Sequence, residues 1–142
     1  METNKLHRGR LIDHVQLVVR DVAKSKRFYK AVFEVLSIPL GGESEESFYF
    51  DELFVSSKDS KASAGELTGR VHLAFATRDQ AIVQRAYEAG LEAGGRDNGK
   101  PGPRPYHPGY YAAFLLDPDG NNIEVVYHGA AKYSATSIEI TY

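Results

Sequence analysis

The chain has 142 residues, the length of one domain, and its 42% hydrophobic, 25% charged and 11% aromatic content excludes a disordered or fibrous protein. Seventeen Lys and Arg against nineteen Asp and Glu give a net charge of −2, which offers no electrostatic footprint for nucleic acid, and with no Cys any metal must rest on His, Asp or Glu. The longest apolar run, residues 110–116, is far shorter than the roughly 18 to 20 residues that cross a bilayer, so neither a membrane nor a nucleic acid is an expected partner.

The opening segment, METNKLHRGR, lacks the apolar core of a secretory signal, and a cytoplasmic protein is expected. Residues 11–19 alternate as a half-buried strand does. Asp21 then stands where a helix N-cap belongs, before a helix predicted from Val22 to Phe33 with Val22, Phe28, Val32 and Phe33 facing inward. Short strands follow over 37–40, 47–50 and 53–56, and residues 58–69 read as a linker. A second round begins with a strand over 71–77, an N-cap at Asp79 and a helix over 80–89 facing inward through Ile82, Val83, Ala86 and Tyr87, with Gly90 as its left-handed end. Residues 94–109, GGRDNGKPGPRPYHPG, are too rich in Gly and Pro for regular structure and read as a binding loop or lid. Strands over 109–116 and 122–128 close the round, joined as a hairpin by the turn Asp117-Pro118-Asp119-Gly120. The tail, residues 129–142, can add a strand or cover a neighbouring subunit.

These two rounds are copies. Shifting the chain by 58 places superposes His14 on His72, Arg20 on Arg78, Asp21 on Asp79, Ala23 on Ala81, Arg27 on Arg85, Tyr29 on Tyr87, Ala31 on Ala89 and Glu34 on Glu92, eight identities in 21 positions. The expected architecture is α+β: two βαβββ modules, 11–57 and 70–128, related by an internal pseudo-twofold repeat and forming a cup from a curved mixed sheet.

Strand alternation puts His14 with Gln16 and Val18, His72 with Ala74 and Ala76, and Glu124 with Val126 and His128. The more apolar face should meet the helix, which leaves both histidines on the concave side. Two imidazoles and one carboxylate make a facial triad that leaves positions of a divalent ion open to substrate. The competing reading is that duplication copied a structural histidine and that the cup binds an organic molecule without metal. His128 lies roughly 13 Å along the strand from Glu124 and is not expected to be a ligand; His7 is given no role.

Through IDHVQLVVRDVAKSKRFY, VHLAFATRD and FLLDPDGNNIEVV, residues 11–128 resemble the vicinal oxygen chelate superfamily of glyoxalases, extradiol dioxygenases, fosfomycin-resistance thiol transferases and bleomycin-resistance proteins. The resemblance implies a divalent metal (Fe, Mn, Ni or Zn) held by His14, His72 and Glu124, a small substrate that chelates it through two adjacent oxygens, and a homodimer. Glyoxalase I usually adds a carboxylate from the last strand of its first module; here Phe54 aligns with that position. The reaction can be of the dioxygenase, lyase or thiol-transferase type, and the alternative is a drug-binding resistance protein that uses the cup without metal. Beside the metal, His107 and Tyr106 are candidates for acid–base work, and Gln16, Phe54, Arg96, Arg104 and Tyr111, with Tyr110, for substrate contact.

Overall fold

The structure is a computed structural model that describes residues 5–61, 63 and 65–142. The first four residues of the METNKLHRGR segment, and Ala62 and Ala64 of the expected linker, lie outside them. The chain divides into two compact units, Met1–Val22 with Ile38–Thr68 and Tyr133–Tyr142, and Ala23–Ser37 with Gly69–Lys132.

In the first unit β1 (Lys5–Arg8) pairs antiparallel with the tail strand β10 (Ile138–Thr141). Strand β2 (Val15–Val19) runs parallel to β5 (Leu53–Ser57), which is antiparallel to β4 (Ser47–Phe50), and β4 to β3 (Gly42–Glu43). The expected strand over 11–19 is shortened to its second half, because its partner begins at the turn Asp51-Glu52: Val15 pairs with Leu53, its N–H donates to the Glu52 carbonyl at 2.7 Å, and Leu11 is left 90% exposed. No strand forms over 37–40 either. Ser37 takes a positive φ of 60°, and pairing starts only at Gly42, where the Tyr49 ring lies across the backbone. A Cβ on Gly41 would lie 2.2 Å from Tyr49 Cε2, so only glycine admits that ring.

In the second unit β6 (His72–Thr77) runs parallel to β9 (Asn122–Tyr127), followed by antiparallel β8 (Tyr111–Leu116) and β7 (Arg96–Pro103). Helix α2 (Gln80–Glu92) begins as expected: Asp79 Oδ1 accepts from the Ala81 N–H at 2.8 Å, removing one of the unpaired donors of the first turn. Its end differs from expectation. Gly90 lies inside the helix, where a Cβ would meet Leu115 Cδ1 at 2.4 Å, so this glycine serves close packing, and Gly94 with φ of 101° supplies the left-handed residue.

The first-round helix α1 (Val22–Val35) packs within this second unit. Phe28, Tyr29, Val32 and Phe33 are buried, with the Phe33 ring 4.8 Å from that of Phe75, while Val22 is only half-buried. Burial of such side chains contributes roughly 1.5 to 3 kcal/mol each. Tyr29 also donates to Asp117 Oδ2 at 2.5 Å. Asp117 heads the expected hairpin turn and accepts in addition from the Asp119 and Asn121 N–H groups and from Asn121 Nδ2.

The segment read as irregular over 94–109 contains β7. As the outer strand of its sheet it tolerates Pro101 and Pro103, and its register against β8 shifts on both sides of Gly99. Each copy thus has the order βαβββ, β2-α1-β3-β4-β5 and β6-α2-β7-β8-β9. Among the described residues no helix is long and apolar enough to cross a membrane.

Candidate functional site

The register of the second sheet puts His72 and Ala74, Asn122 and Glu124, and Phe114 on one face, opposite the face whose Phe75 meets α1. There Glu124 is 3% exposed, and both its oxygens are engaged. Oε1 lies 3.0 Å from His72 Nε2, and Oε2 accepts from the Tyr110 hydroxyl. Burial, and then the bond to Glu124, push that hydroxyl up to about 12, so Tyr110 stays protonated at neutral pH and acts as a donor. Phe114 stacks on His72 with centroids 6.0 Å apart.

The protons of His72 follow from its partners. Its Nδ1 lies 3.1 Å from the Asn122 carbonyl, which can only accept, so Nδ1 carries hydrogen. In a neutral ring Nε2 then holds a lone pair aimed at a carboxylate oxygen. Two such acceptors at 3.0 Å repel unless a cation, a proton or a metal ion, lies between them.

Residues 104–110 form a loop beside this group. The Arg104 N–H donates to the Tyr110 carbonyl and the Tyr110 N–H to that of His107. Gly109 and Gly129, at φ of 87° and 73°, approach so closely that a Cβ on Gly129 would lie 2.9 Å from Gly109 Cα. This apposition brings His107 against His128, Nε2 to Nδ1 at 2.9 Å. Tyr110 sets its ring edge against both, and Tyr106 packs edge-on to Tyr110 at 5.0 Å. A cavity of about 650 Å³ is lined here by Gln80, Arg104, Tyr106, His107, Tyr110 and Tyr111 with four neighbouring proline and glycine residues. Arg104 donates to the Lys100, Gly102 and Pro103 carbonyls and lies over Phe114, so it holds the loop's shape. Tyr111 accepts from Gln84 of α2, and Arg96 opens β7 on the exposed surface.

In the first unit His14 is exposed, its Nδ1 2.7 Å from Asp13 Oδ1. That bond holds the Asp13 carboxyl below its ordinary value and, since a carboxylate accepts, leaves the His14 lone pair on Nε2. Gln16 donates to Ser56 Oγ at 2.9 Å and pairs across the ladder with Phe54, as Ala74 pairs with Glu124. Phe54 therefore occupies the first copy's counterpart of Glu124.

The structure thus groups His72, Glu124 and Tyr110, and beside them Tyr106, His107 and His128. Among the described residues there is no group of three or more His, Cys, Asp or Glu placed to hold a metal ion. Sequence reasoning gave His128 no part; alternation had put it on the face of Glu124, but the return of the loop onto it is a contact across 21 residues that no local pattern announces.

Residues 39–125 match the family model described as Glyoxalase/Bleomycin resistance protein/Dioxygenase superfamily. Among solved structures, a glyoxalase/bleomycin resistance protein from Albidiferax ferrireducens T118 is 27% identical with a TM-score of 0.69, covering 82% of this chain and 98% of its own. A glyoxalase/bleomycin resistance protein/dioxygenase family enzyme from Burkholderia phytofirmans PsJN is 21% identical with a TM-score of 0.65, over 82% and 97%. A lactoylglutathione lyase from Agrobacterium tumefaciens is 19% identical with a TM-score of 0.60, over 83% and 93%. The last two likenesses are of fold alone. No curated protein sequence matches the chain.

Proposed function

We propose a function from one premise: the chain belongs to the glyoxalase/bleomycin resistance protein/dioxygenase superfamily. In our reading it is a cytoplasmic, homodimeric enzyme acting on a small molecule with two adjacent oxygens, which chelates a divalent metal held by His72, Glu124 and His14. One observation carries this reading: His72, its Nδ1 hydrogen committed to the Asn122 carbonyl, aims Nε2 at Glu124 Oε1 from 3.0 Å. An imidazole nitrogen and a carboxylate oxygen side by side are donors that would hold a divalent ion, and a backbone carbonyl behind the ring is the usual support of a ligating histidine. His14, backed by Asp13, presents Nε2 in the same tautomer and stays the third donor that the resemblance implies. When bound, the ion supplies Lewis acidity toward the substrate's paired oxygens.

The chain's own groups do the rest. Tyr110 donates to Glu124 and orients its carboxylate. Tyr106 and Tyr111 line the cavity that would take the organic part of the substrate. Proton transfer is assigned to Tyr106 and to the pair that His107 forms with His128; Gln16, Phe54, Arg96 and Arg104 remain the sequence's candidates for substrate contact.

A second reading has its own support. With His72 as an imidazolium, both Glu124 oxygens are satisfied by protein donors, and no three-donor group occurs among the described residues. The chain would then bind its small molecule without metal. Elemental analysis of protein purified without chelator decides between the two. Stoichiometric divalent metal in the parent that is lost in His72→Ala, Glu124→Gln and His14→Ala is expected; equal content in parent and variants, or none in the parent, leaves the metal-free reading.

A further inference from the structure

The His107 and His128 pair carries information that the proposed metal site does not use. The rings lie within 20° of one plane with centroids 5.1 Å apart and nitrogens 2.9 Å apart. The centroid spacing is nearly the nitrogen separation plus the two ring radii, so the nitrogens point straight at each other. An ion would need both lone pairs to converge on a point about 2.0 Å from each, off that line, so the geometry is that of a shared hydrogen.

Its direction can be read as well. His107 Nδ1 lies 2.9 Å from the Pro108 carbonyl, which only accepts, so Nδ1 carries hydrogen and the neutral ring has its lone pair on Nε2. The hydrogen between the rings therefore belongs to His128 Nδ1, and in neutral His128 the remaining lone pair sits on Nε2, which has no hydrogen bond to the described residues. His107, although it lines the cavity, has neither nitrogen free.

We infer that His128, and not the cavity-lining His107, presents the free basic nitrogen of the pair, with His107 as its hydrogen-bond acceptor. An O–H, S–H or acidic C–H brought to His128 Nε2 would give it its proton, the electron pair staying on that oxygen, sulfur or carbon. The imidazolium so formed donates a charge-assisted bond to His107, which stabilises it. The other polar groups packed around the pair are Tyr110, whose hydroxyl is committed to Glu124, and Tyr106 beyond it. The Gly109 and Gly129 contact holds the two rings in line. The inference rests on the proposed function only for the identity of the substrate; the proton positions belong to the protein alone.

Diethyl pyrocarbonate acylates bare imidazole nitrogens, and peptide mass spectrometry of the metal-free protein reads which ring reacts. His128 is expected to be modified about tenfold faster than His107, whose reaction must first break one hydrogen bond. Long-range proton–nitrogen spectra should show hydrogen on Nδ1 of both rings. In His128→Ala the modification of His107 should rise by about the same factor, while His128→Asn, which can still donate to His107, keeps it slow. His107 reacting first, or hydrogen on Nε2 of either ring in its neutral form, overturns the inference. Metal content is a separate measurement: these outcomes can fail while the His72 and Glu124 result stands, and the reverse.

Discussion

The duplicated helices carry a tyrosine at the same place, and each donates to an aspartate: Tyr29 to Asp117 at 2.5 Å, Tyr87 to Asp97 at 2.9 Å. Their settings differ. Asp117 is 1% exposed and holds four donors, whereas Asp97 is exposed and holds Tyr87 and the Gly99 N–H. Duplication copied the donor, but what the bond is worth was decided afterwards by the acceptor. A buried carboxylate or hydroxyl left alone keeps its full desolvation penalty, while an exposed one is rehydrated. The contrast continues one turn earlier, where Ser25 and its counterpart Val83 are both fully buried and Ser25 Oγ has no hydrogen-bond partner among the described residues.

The largest effect should come from Asp117→Ala, which strands the Tyr29 hydroxyl and three donors of the turn and is expected to destabilise by about 3 to 5 kcal/mol in urea unfolding. Asp97→Ala should leave the midpoint nearly unchanged; equal losses in the two variants would break the comparison. Next, Tyr29→Phe should cost about 1 to 2 kcal/mol and Tyr87→Phe clearly less, with a double-mutant cycle against each aspartate isolating the pair. Ser25→Ala is expected to act in the opposite sense, gaining about 0.5 to 1 kcal/mol by removing a hydroxyl that is desolvated without return; a loss there would mean that its oxygen has a role.

The pH dependence should be smallest and should again separate the pairs. Burial first, and then the neighbouring aspartate, raise Tyr29 well above 10.0 and raise Tyr87 too. Each contribution is therefore complete below pH 10 and lost as pH rises through the raised value, with Tyr29 ionising last by phenolate absorbance. Asp97 is held below 3.8 by the Gly99 N–H and the Tyr87 hydroxyl, so its contribution is lost only on acidification below that value. Asp97→Asn should flatten the acid limb and, by removing the charge that helps to raise Tyr87, move Tyr87 ionisation to lower pH while leaving that of Tyr29.

What could be read in the sequence was what neighbouring residues decide together. The 58-residue repeat, the Asp79 cap, the Asp117 to Gly120 turn and the alternation that puts Glu124 on one face with Asn122 depend on contiguous chain, and the fold class followed from them. The errors arose where distant partners rule. Gly90 was read as a helix end because its contacts with Leu115 and Phe28 come from other elements, and β7 was hidden because an outer strand accepts the Gly and Pro that an inner one refuses. For the site, residue types and faces were legible, but hydrogen positions were not: they are set by the Asn122 and Pro108 carbonyls and by the meeting of His107 with His128, all matters of approach in space.

The irregular composition of β7 reaches beyond its own sheet. Pro101 and Pro103 have no N–H to offer an incoming strand, and the slipped ladder on both sides of Gly99 keeps the remaining groups out of step with any regular partner. Sheet growth in that direction is thereby terminated by the backbone itself, so the second module can keep a long rim beside its cavity without becoming a template for self-templated polymerisation.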